Sequence, residues 1–331
     1  MRISKRPKGN GKFRTIYMPN AKEKRKLRDL LPLLNEIHAK AVDAAGTRGI
    51  AHAFVANRNP VTCALPHRGF QVTVSCDLEN WFDTVREDQL VAAGVPPDVA
   101  KAITIPDENG VGLCRQGLPT SPLAANIAAV AMDVQILEHL KQLQNVWVRF
   151  RFAYTRYADD IIVSVSLDTD EVGGPLPDEW REDSLFWLKS MILHSACKMD
   201  WKIAEHKTHI QHAKAGRRII VGIAVDDRLQ ATRKTRRKLR AARHQAHPPQ
   251  VCAGRANGVA RNPAAVQSAA GLAEWAACKL PRKVRSTRQM MGVLAGSGPV
   301  AASTNQTPTV AISGSGRRVL VPVRKEGSDA S

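Results

Sequence analysis

Apolar positions recur along this chain with two distinct periods. From 21 to 45, Leu27, Leu30, Leu31, Leu34 and Ile37 return at the spacing of one helix face, which predicts an amphipathic helix with a local break near Pro32. From 70 to 85 the period changes to two. Val72, Val74 and Cys76 alternate with Gln71, Thr73 and Ser75 in a strand ending at Asp77, and Trp81, Phe82 and Val85 then suggest a helical turn packing back on it. Residues 87–104 read as helix interrupted at Pro96-Pro97, and the Ala-rich stretch 121–146 as one buried helix beginning just after Ser121. The strand pattern returns as a hairpin over 149–166. A helix over 176–200 carries Leu185, Leu188, Ile192 and Ala196 on one stripe. Residues 201–212 and 217–228 are strand-like, and 231–247 and 264–279 helical. A short strand is expected at 14–17 and loop over 46–70. From Gly296 onward Ser, Thr, Gly and Pro without periodicity predict a disordered tail with one extended run at 319–323. No internal repeat is visible, and antiparallel strands backed by helices make an α+β class.

Charge changes this picture from a generic domain to one with a partner. The chain has 331 residues and a formal net charge of +19. Such a field attracts polyanions, so nucleic acid is the natural partner and binding should weaken steeply with salt. The basic opening MRISKRPKGNGKFR lacks the apolar stretch of a signal segment, and no apolar run looks long enough to span a bilayer. A cytoplasmic protein without a membrane partner is expected. The six cysteines form no C-x-x-C pair, which argues against a zinc knuckle, and several lie in apolar stretches as reduced core residues.

The chemistry concentrates in carboxylates at strand ends. Residues 153–166 read AYTRYADDIIVSVS, with Asp159 and Asp160 at the turn of the predicted hairpin. A solvated Asp-Asp turn is the bland account of such a pair. Asp77, a third acid at the end of a separate strand, favours another. Adjacent carboxylates raise each other's pKa unless a cation lies between them. Mg²⁺ takes one or two carboxylates plus substrate phosphates. Three such acids suit a two-metal phosphoryl-transfer site.

At this point the chain resembles a known family. Tyr157-Ala158-Asp159-Asp160 resembles the catalytic signature of reverse transcriptases, and Asp77 followed by Phe82 their first palm motif. Gln116-Gly117-Leu118-Pro119-Thr120-Ser121-Pro122, with Arg115 before it and Asn126 after, resembles the form typical of retron-type bacterial enzymes. Lys12 to Tyr17 with Pro19 resembles the opening fingers motif, His52 to His67 the retron segment before the first palm strand, and Lys207-Thr208 and Ile220-Val221-Gly222 the motifs leading to the primer grip. These matches run in the family's order over roughly residues 10–290. Cys63 stands where the retron segment carries Asn, and Val221 where the triplet carries Thr.

The resemblance implies an RNA-directed DNA polymerase with a right-hand fold: fingers over 1–70, a palm with inserted fingers elements over 71–228, a helical thumb over 229–295 and a tail over 296–331. It implies two Mg²⁺ ions on Asp77, Asp159 and Asp160, with the backbone carbonyl of Leu78 as a further ligand. Phe82 would lie under the nucleotide sugar and exclude a 2′-OH. Gln116 and Gly117 would hold the incoming nucleotide and template, Lys12 and Arg14 the dNTP triphosphate, and Lys207 would protonate the departing pyrophosphate. Arg233, Lys234, Arg236, Arg237 and Arg240 belong to a basic run without an acid, suited to a phosphate backbone. The partners implied are an RNA template, a DNA or RNA primer and a structured non-coding RNA, with any effector protein unidentified. The stretches 52–67 and 220–222 lie outside the chemistry, so such a partner is the reason expected for them. Two alternatives stay open: an intron-related or antiviral-defence reverse transcriptase with another priming route, and a maturase-like RNA-binding protein without catalysis.

Overall fold

A computed structural model describes residues 1–9, 11–146, 150–167, 178–246, 270, 273 and 277. Apart from those last three positions, the helix expected at 264–279 and the tail from 296 lie outside the described residues. Strands β1 (Arg2–Gly9) and β2 (Lys12–Met18) form an antiparallel hairpin with Arg6 opposite Arg14. The sequence pattern missed β1 because its side chains are nearly all polar and exposed. The Gly-Asn-Gly run at 9–11 was the available hairpin signal. Helix α1 (Ala21–Asp29) starts at Asn20, whose Oδ1 accepts the Glu23 N–H at 2.9 Å while Glu23 accepts the Asn20 N–H. Helix α2 (Leu31–Ala44) follows. The predicted break falls at Leu30, and Pro32 sits in the first turn of α2, where its missing N–H costs nothing.

The expected loop over 46–70 contains a buried helix, α3 (Pro60–Ala64), continued by a 3₁₀ turn over Leu65–His67. Pro60 reads as a breaker but occupies the first helical turn after the Asn59 cap. Then come β3 (Val72–Asp77), a 3₁₀ turn over Trp81–Asp83, α4 (Glu87–Ala92), α5 (Pro97–Ile103), β4 (Ile105–Pro106) and β5 (Gly112–Leu113). The single helix expected over 121–146 is two, α6 (Ser121–Ala128) and α7 (Val130–Val146). By length and composition alone the stretch Ser121–Asn145, of mean hydropathy 1.2, could cross a membrane, which corrects the expectation that no apolar run is long enough. It is 72% buried inside the protein.

The hairpin is β6 (Phe150–Tyr157) and β7 (Asp160–Leu167), followed by α8 (Asp178–Cys197). The strand-like regions resolve into β8 (His209–His212), β9 (Arg218–Ile220), β10 (Ile223–Val225) and β11 (Leu229–Ala231), and α9 (Arg233–Ala246) follows. A four-stranded antiparallel sheet runs β6-β7-β3-β8, and a three-stranded sheet β11-β10-β9. This mixture of helices with antiparallel sheets is α+β.

The large sheet is covered on both faces. On one, Val74, Cys76, Ile161, Val163, Phe152 and Tyr154 meet Ala124, Ile127 and Met132 of the α6–α7 pair and Leu188 and Ile192 of α8. Each fully buried aliphatic side chain there contributes about 1.5–3 kcal/mol. On the other face Thr73, Ser164 and Thr155 are polar and buried, and they meet His67 and Arg218.

Candidate active site

Backbone pairing gathers the three acids. Asp77 is the last residue of β3 and its Cα pairs with Asp160, the first of β7. Tyr157 pairs with Asp160 across the hairpin, leaving Ala158 and Asp159 as a two-residue turn with Ala158 at φ 58°. The Leu78 N–H donates to the Asp159 carbonyl at 3.0 Å, and the Ala204 N–H donates to the Asp77 carbonyl at 2.8 Å. The second bond brings in the 3₁₀ turn Glu205–Lys207, and Lys207 Nζ donates to Asp77 Oδ2 at 2.5 Å. Asp77, Asp159, Asp160 and Lys207 therefore share one end of the sheet.

The charges there are incompletely compensated. Burial, and then the charge of Asp77, raises the Asp159 carboxyl above its ordinary range. Burial, then Asp159 and Asp77, pushes Asp160 up to about 6. Its hydrogen bond to Asp77 raises the pKa of Lys207. Among the described residues no three His, Cys, Asp or Glu side chains converge as a metal cage. An all-protein cage is not what Mg²⁺ requires, because it keeps several waters and binds through one or two carboxylates plus phosphates. Hard oxygen donors clustered around one bonded ammonium among the described residues, Lys207, fit a divalent cation.

Behind the turn lies a buried network. Arg156, fully buried in β6, donates to both carboxylate oxygens of Asp133 on α7, to Asn126 Oδ1 on α6 at 2.9 Å, and to the Ala158 carbonyl at 3.1 Å. Tyr154 Oη donates to Asp133 at 2.6 Å, and the Arg156 guanidinium lies over the Trp81 ring. The network holds a turn whose Ala158 has the positive φ that a side chain disfavours. Neither Arg156 nor Asp133 was singled out from the sequence. The available signal was a charge flanked by Tyr154 and Tyr157 in a strand and another at Asp133 in the apolar stretch 121–137, since buried charges must be paired.

No family model matches the chain. It is 28% identical over 260 residues to the retron Mx65 reverse transcriptase of Myxococcus xanthus, covering 72% of this chain and 54% of that protein. Against the retron Ec73 reverse transcriptase of Escherichia coli it is 32% identical over 176 residues, 48% of this chain and 52% of that protein. By sequence, the chain is similar to retron reverse transcriptases. It spans about half the length of the curated relatives it matches. Among solved structures, apo telomerase from Candida tropicalis aligns over 70% of this chain and 48% of its own, with 13% identity and a TM-score of 0.46. Telomerase from Candida albicans in complex with a telomeric RNA fragment aligns over 83% and 52%, with 12% identity and a TM-score of 0.46.

The retron-like stretches have a structural reason that the sequence reading did not supply. His67 is buried, with Nδ1 2.8 Å from Ser164 Oγ and Nε2 2.7 Å from Thr155 Oγ1. His52 bonds Thr62 and the Gly49 carbonyl, and Cys63 Sγ lies 3.2 Å from Thr155 Oγ1. Burial lowers both histidines to about 3 and pushes the Cys63 thiol up to about 12. Val61, Cys63, Ala64, Ile162, Ile220, Ile223 and Val225 form a second apolar cluster, against which Tyr157 and Val221 pack. Val221 and Gly222, at φ 45° and 75°, are the two-residue turn between β9 and β10. Residues 60–67 and 220–221 thus pack together as the floor beneath the hairpin, while Phe54, Ala56 and Asn57 of the first stretch remain exposed.

The other expected residues divide. Phe82, half-buried, contacts Trp81 and Phe54 with ring centroids at 5.5 and 6.3 Å. The Gln116 carbonyl accepts the Tyr17 N–H at 2.8 Å, and Gly117 has φ 112°. A Cβ on Gly117 would lie 2.2 Å from the Tyr17 carbonyl oxygen. The glycine is therefore required by the close approach of β2, a reason independent of the expected approach of nucleic acid. Arg14 is exposed on β2, and the side chain of Lys12 lies outside the described set. Lys8 of β1, unnoticed in the sequence, is the hairpin cation whose charge reaches Asp159 and Asp83. Arg233, Lys234, Arg236, Arg237 and Arg240 are exposed on α9, whose buried side is Leu239 and Ala242.

Proposed function

We propose that this chain is an RNA-directed DNA polymerase of the retron type, which adds dNTPs to a primer hydroxyl along an RNA template. One observation carries the proposal: in a chain similar to retron reverse transcriptases, Asp77 pairs with Asp160 and Leu78 bonds the Asp159 carbonyl, so three carboxylates and Lys207 share one end of the sheet. Asp77, Asp159, Asp160 and the Leu78 carbonyl would hold two Mg²⁺. Bound there, the ions would favour ionisation of the primer hydroxyl and neutralise charge on the triphosphate.

The remaining roles fall to side chains of the protein. Lys207 Nζ is the proton donor to the departing pyrophosphate. The Phe82 ring, braced by Trp81 and Phe54, limits room at the sugar and favours deoxynucleotides. Gln116 contacts template and nucleotide, and Lys12 and Arg14, helped by Lys8, attract the triphosphate. Arg233, Lys234, Arg236, Arg237 and Arg240 contact the phosphate backbone without reading sequence. In this reading residues 1–70 are fingers, 71–228 palm and 229–295 thumb of a right hand acting in the cytoplasm on a structured non-coding RNA.

Primer extension on an RNA template tests the proposal. Asp159→Ala should abolish synthesis while template–primer binding persists. Wild-type extension rates in that variant would overturn it.

A further inference from the structure

We propose that Phe54 is a stacking platform for an unpaired nucleobase, a site that rests on the polymerase reading and extends it. Phe54 is 53% exposed and sits at φ 60°. A large side chain at positive φ is disfavoured, and its exposure forgoes the burial that would offset that cost. The ring meets Phe82 at 6.3 Å. Phe82 and Trp81 already pack against the core, so Phe54 is the outermost member of an aromatic series that runs from the interior to solvent.

The backbone beneath this ring is tied down on both sides. Before it, His52 N–H donates to the Arg156 carbonyl at 2.8 Å and Arg156 N–H to the Ile50 carbonyl at 2.9 Å, so the segment runs along the edge of β6. Arg58 donates to the Ala51 carbonyl at 2.5 Å and also to the Arg48 carbonyl. Asn126 Nδ2 donates to the Ala53 carbonyl at 2.9 Å, while Asn126 Oδ1 accepts from Arg156, which also bonds the Ala158 carbonyl. Three hydrogen bonds thus connect the peptide preceding Phe54 to the peptide preceding Asp159. The backbone that carries the exposed ring is thereby tied to the acid turn.

The chemistry that such a ring recognises is a flat, polarisable face. A nucleobase offers one whatever its sequence, and stacking on a preoriented aromatic is the recurrent means of holding unpaired bases. A protein partner would call for a contiguous apolar patch, whereas the next exposed positions in the chain, Ala56 and Asn57, are small or polar. Two sources share this chemistry, the first unpaired template base and the base of the incoming dNTP.

The test uses the full chain with an RNA template carrying 2-aminopurine at the first unpaired position, annealed to a primer, without dNTP. Wild-type binding should quench the probe. Phe54→Leu should restore its emission and Phe54→Trp should quench it again, with unfolding temperature unchanged. That result assigns the template base. If the probe signal is the same in Phe54→Leu but KM for dNTP rises about fivefold or more at constant kcat, with discrimination against ribonucleotides unchanged so that Phe82 has kept its place, the incoming base is the occupant. Unchanged emission and unchanged KM in a folded Phe54→Leu protein would overturn the proposal. The probe reads binding without synthesis, so quenching by a protein that never extends the primer would sink the polymerase reading alone.

Discussion

The two sides of one hairpin end carry opposite kinds of charge. On the helix-facing side Arg156 and Asp133 are 0% and 2% exposed, fork to fork, with Asn126, Tyr154 and the Ala158 carbonyl using their remaining capacity. On the other side Lys207 and Asp77 are 45% and 14% exposed, joined by a single bond, beside two further carboxylates that feel Lys207, and for Asp159 Lys8, only through space among the described residues. The first arrangement is closed, and nothing can be exchanged without leaving a buried charge unpaired. The second is open, and its ammonium can be displaced by another cation. The difference teaches that positional accuracy and chemical reactivity are supplied by separate charges on the two faces of the same strands.

Breaking the closed side should have the largest effect. Asp133→Ala strands a buried guanidinium and removes the acceptor of Tyr154, so unfolding free energy should fall by about 3–5 kcal/mol in denaturant titration. The comparison sharpens with a double variant. Arg156→Met with Asp133→Leu removes both charges, and replacing a whole buried pair by apolar residues is often neutral. It should regain most of the stability yet leave the Ala158 carbonyl unheld, so primer extension should stay impaired. A double variant as unstable as Asp133→Ala would mean that packing around the helices, not the unpaired charge, sets the cost.

How much of this was legible follows the same division. The open side was readable because acids at strand ends stand out against β-branched neighbours, and strand alternation fixed which of them could meet. Asp77, Asp159, Asp160 and the hairpin came from that pattern, and their shared end of the sheet follows from strand pairing. The closed side was not readable because its partners are 23 residues apart and on different elements, α7 and β6. Periodicity carries no information on which distant group satisfies a buried one. The segment 46–70 read as loop for a similar reason: Pro60 marks the start of α3, and only its burial under the sheet shows the segment to be structural. The hairpin β1–β2 was missed because both its faces meet solvent, so no alternation was imposed on it.

A smaller effect should appear with pH in the floor. His52 and His67 are held to about 3, first by burial and then by the charges of Arg58 and Arg218 respectively. In the unfolded chain each titrates near ~6.5. Between those values the unfolded state binds more protons, so stability is lost as pH falls through that window. From about pH 7.5 to about pH 5.5 each histidine should remove about 1.4 kcal/mol. Asp160, raised to about 6, acts in the opposite sense over the same range. The informative quantity is therefore the difference between wild type and His67→Gln, measured by denaturant unfolding at both pH values. An identical pH dependence in the two proteins would show that His67 titrates alike in the folded and unfolded states, so that burial does not hold it neutral.

The smallest effect on stability should come from the open side. Lys207→Met breaks an ion pair whose cation is nearly half exposed, and such pairs contribute about 0–1 kcal/mol. Unfolding free energy should therefore change by less than about 1 kcal/mol, in contrast to Asp133→Ala. The same substitution removes the one ammonium bonded to Asp77 among the described residues, so the carboxylates should bind a divalent cation more readily. Titration with Mn²⁺, followed by water proton relaxation in the absence of nucleotide, should show affinity rising by up to about fivefold, the equivalent of a surface pair. A loss of stability as large as that of Asp133→Ala would make Lys207–Asp77 a structural clasp. Unchanged or weakened Mn²⁺ binding would mean that the ammonium and the ion do not compete for Asp77, and the contrast between a closed and an open side would fail where the chemistry depends on it.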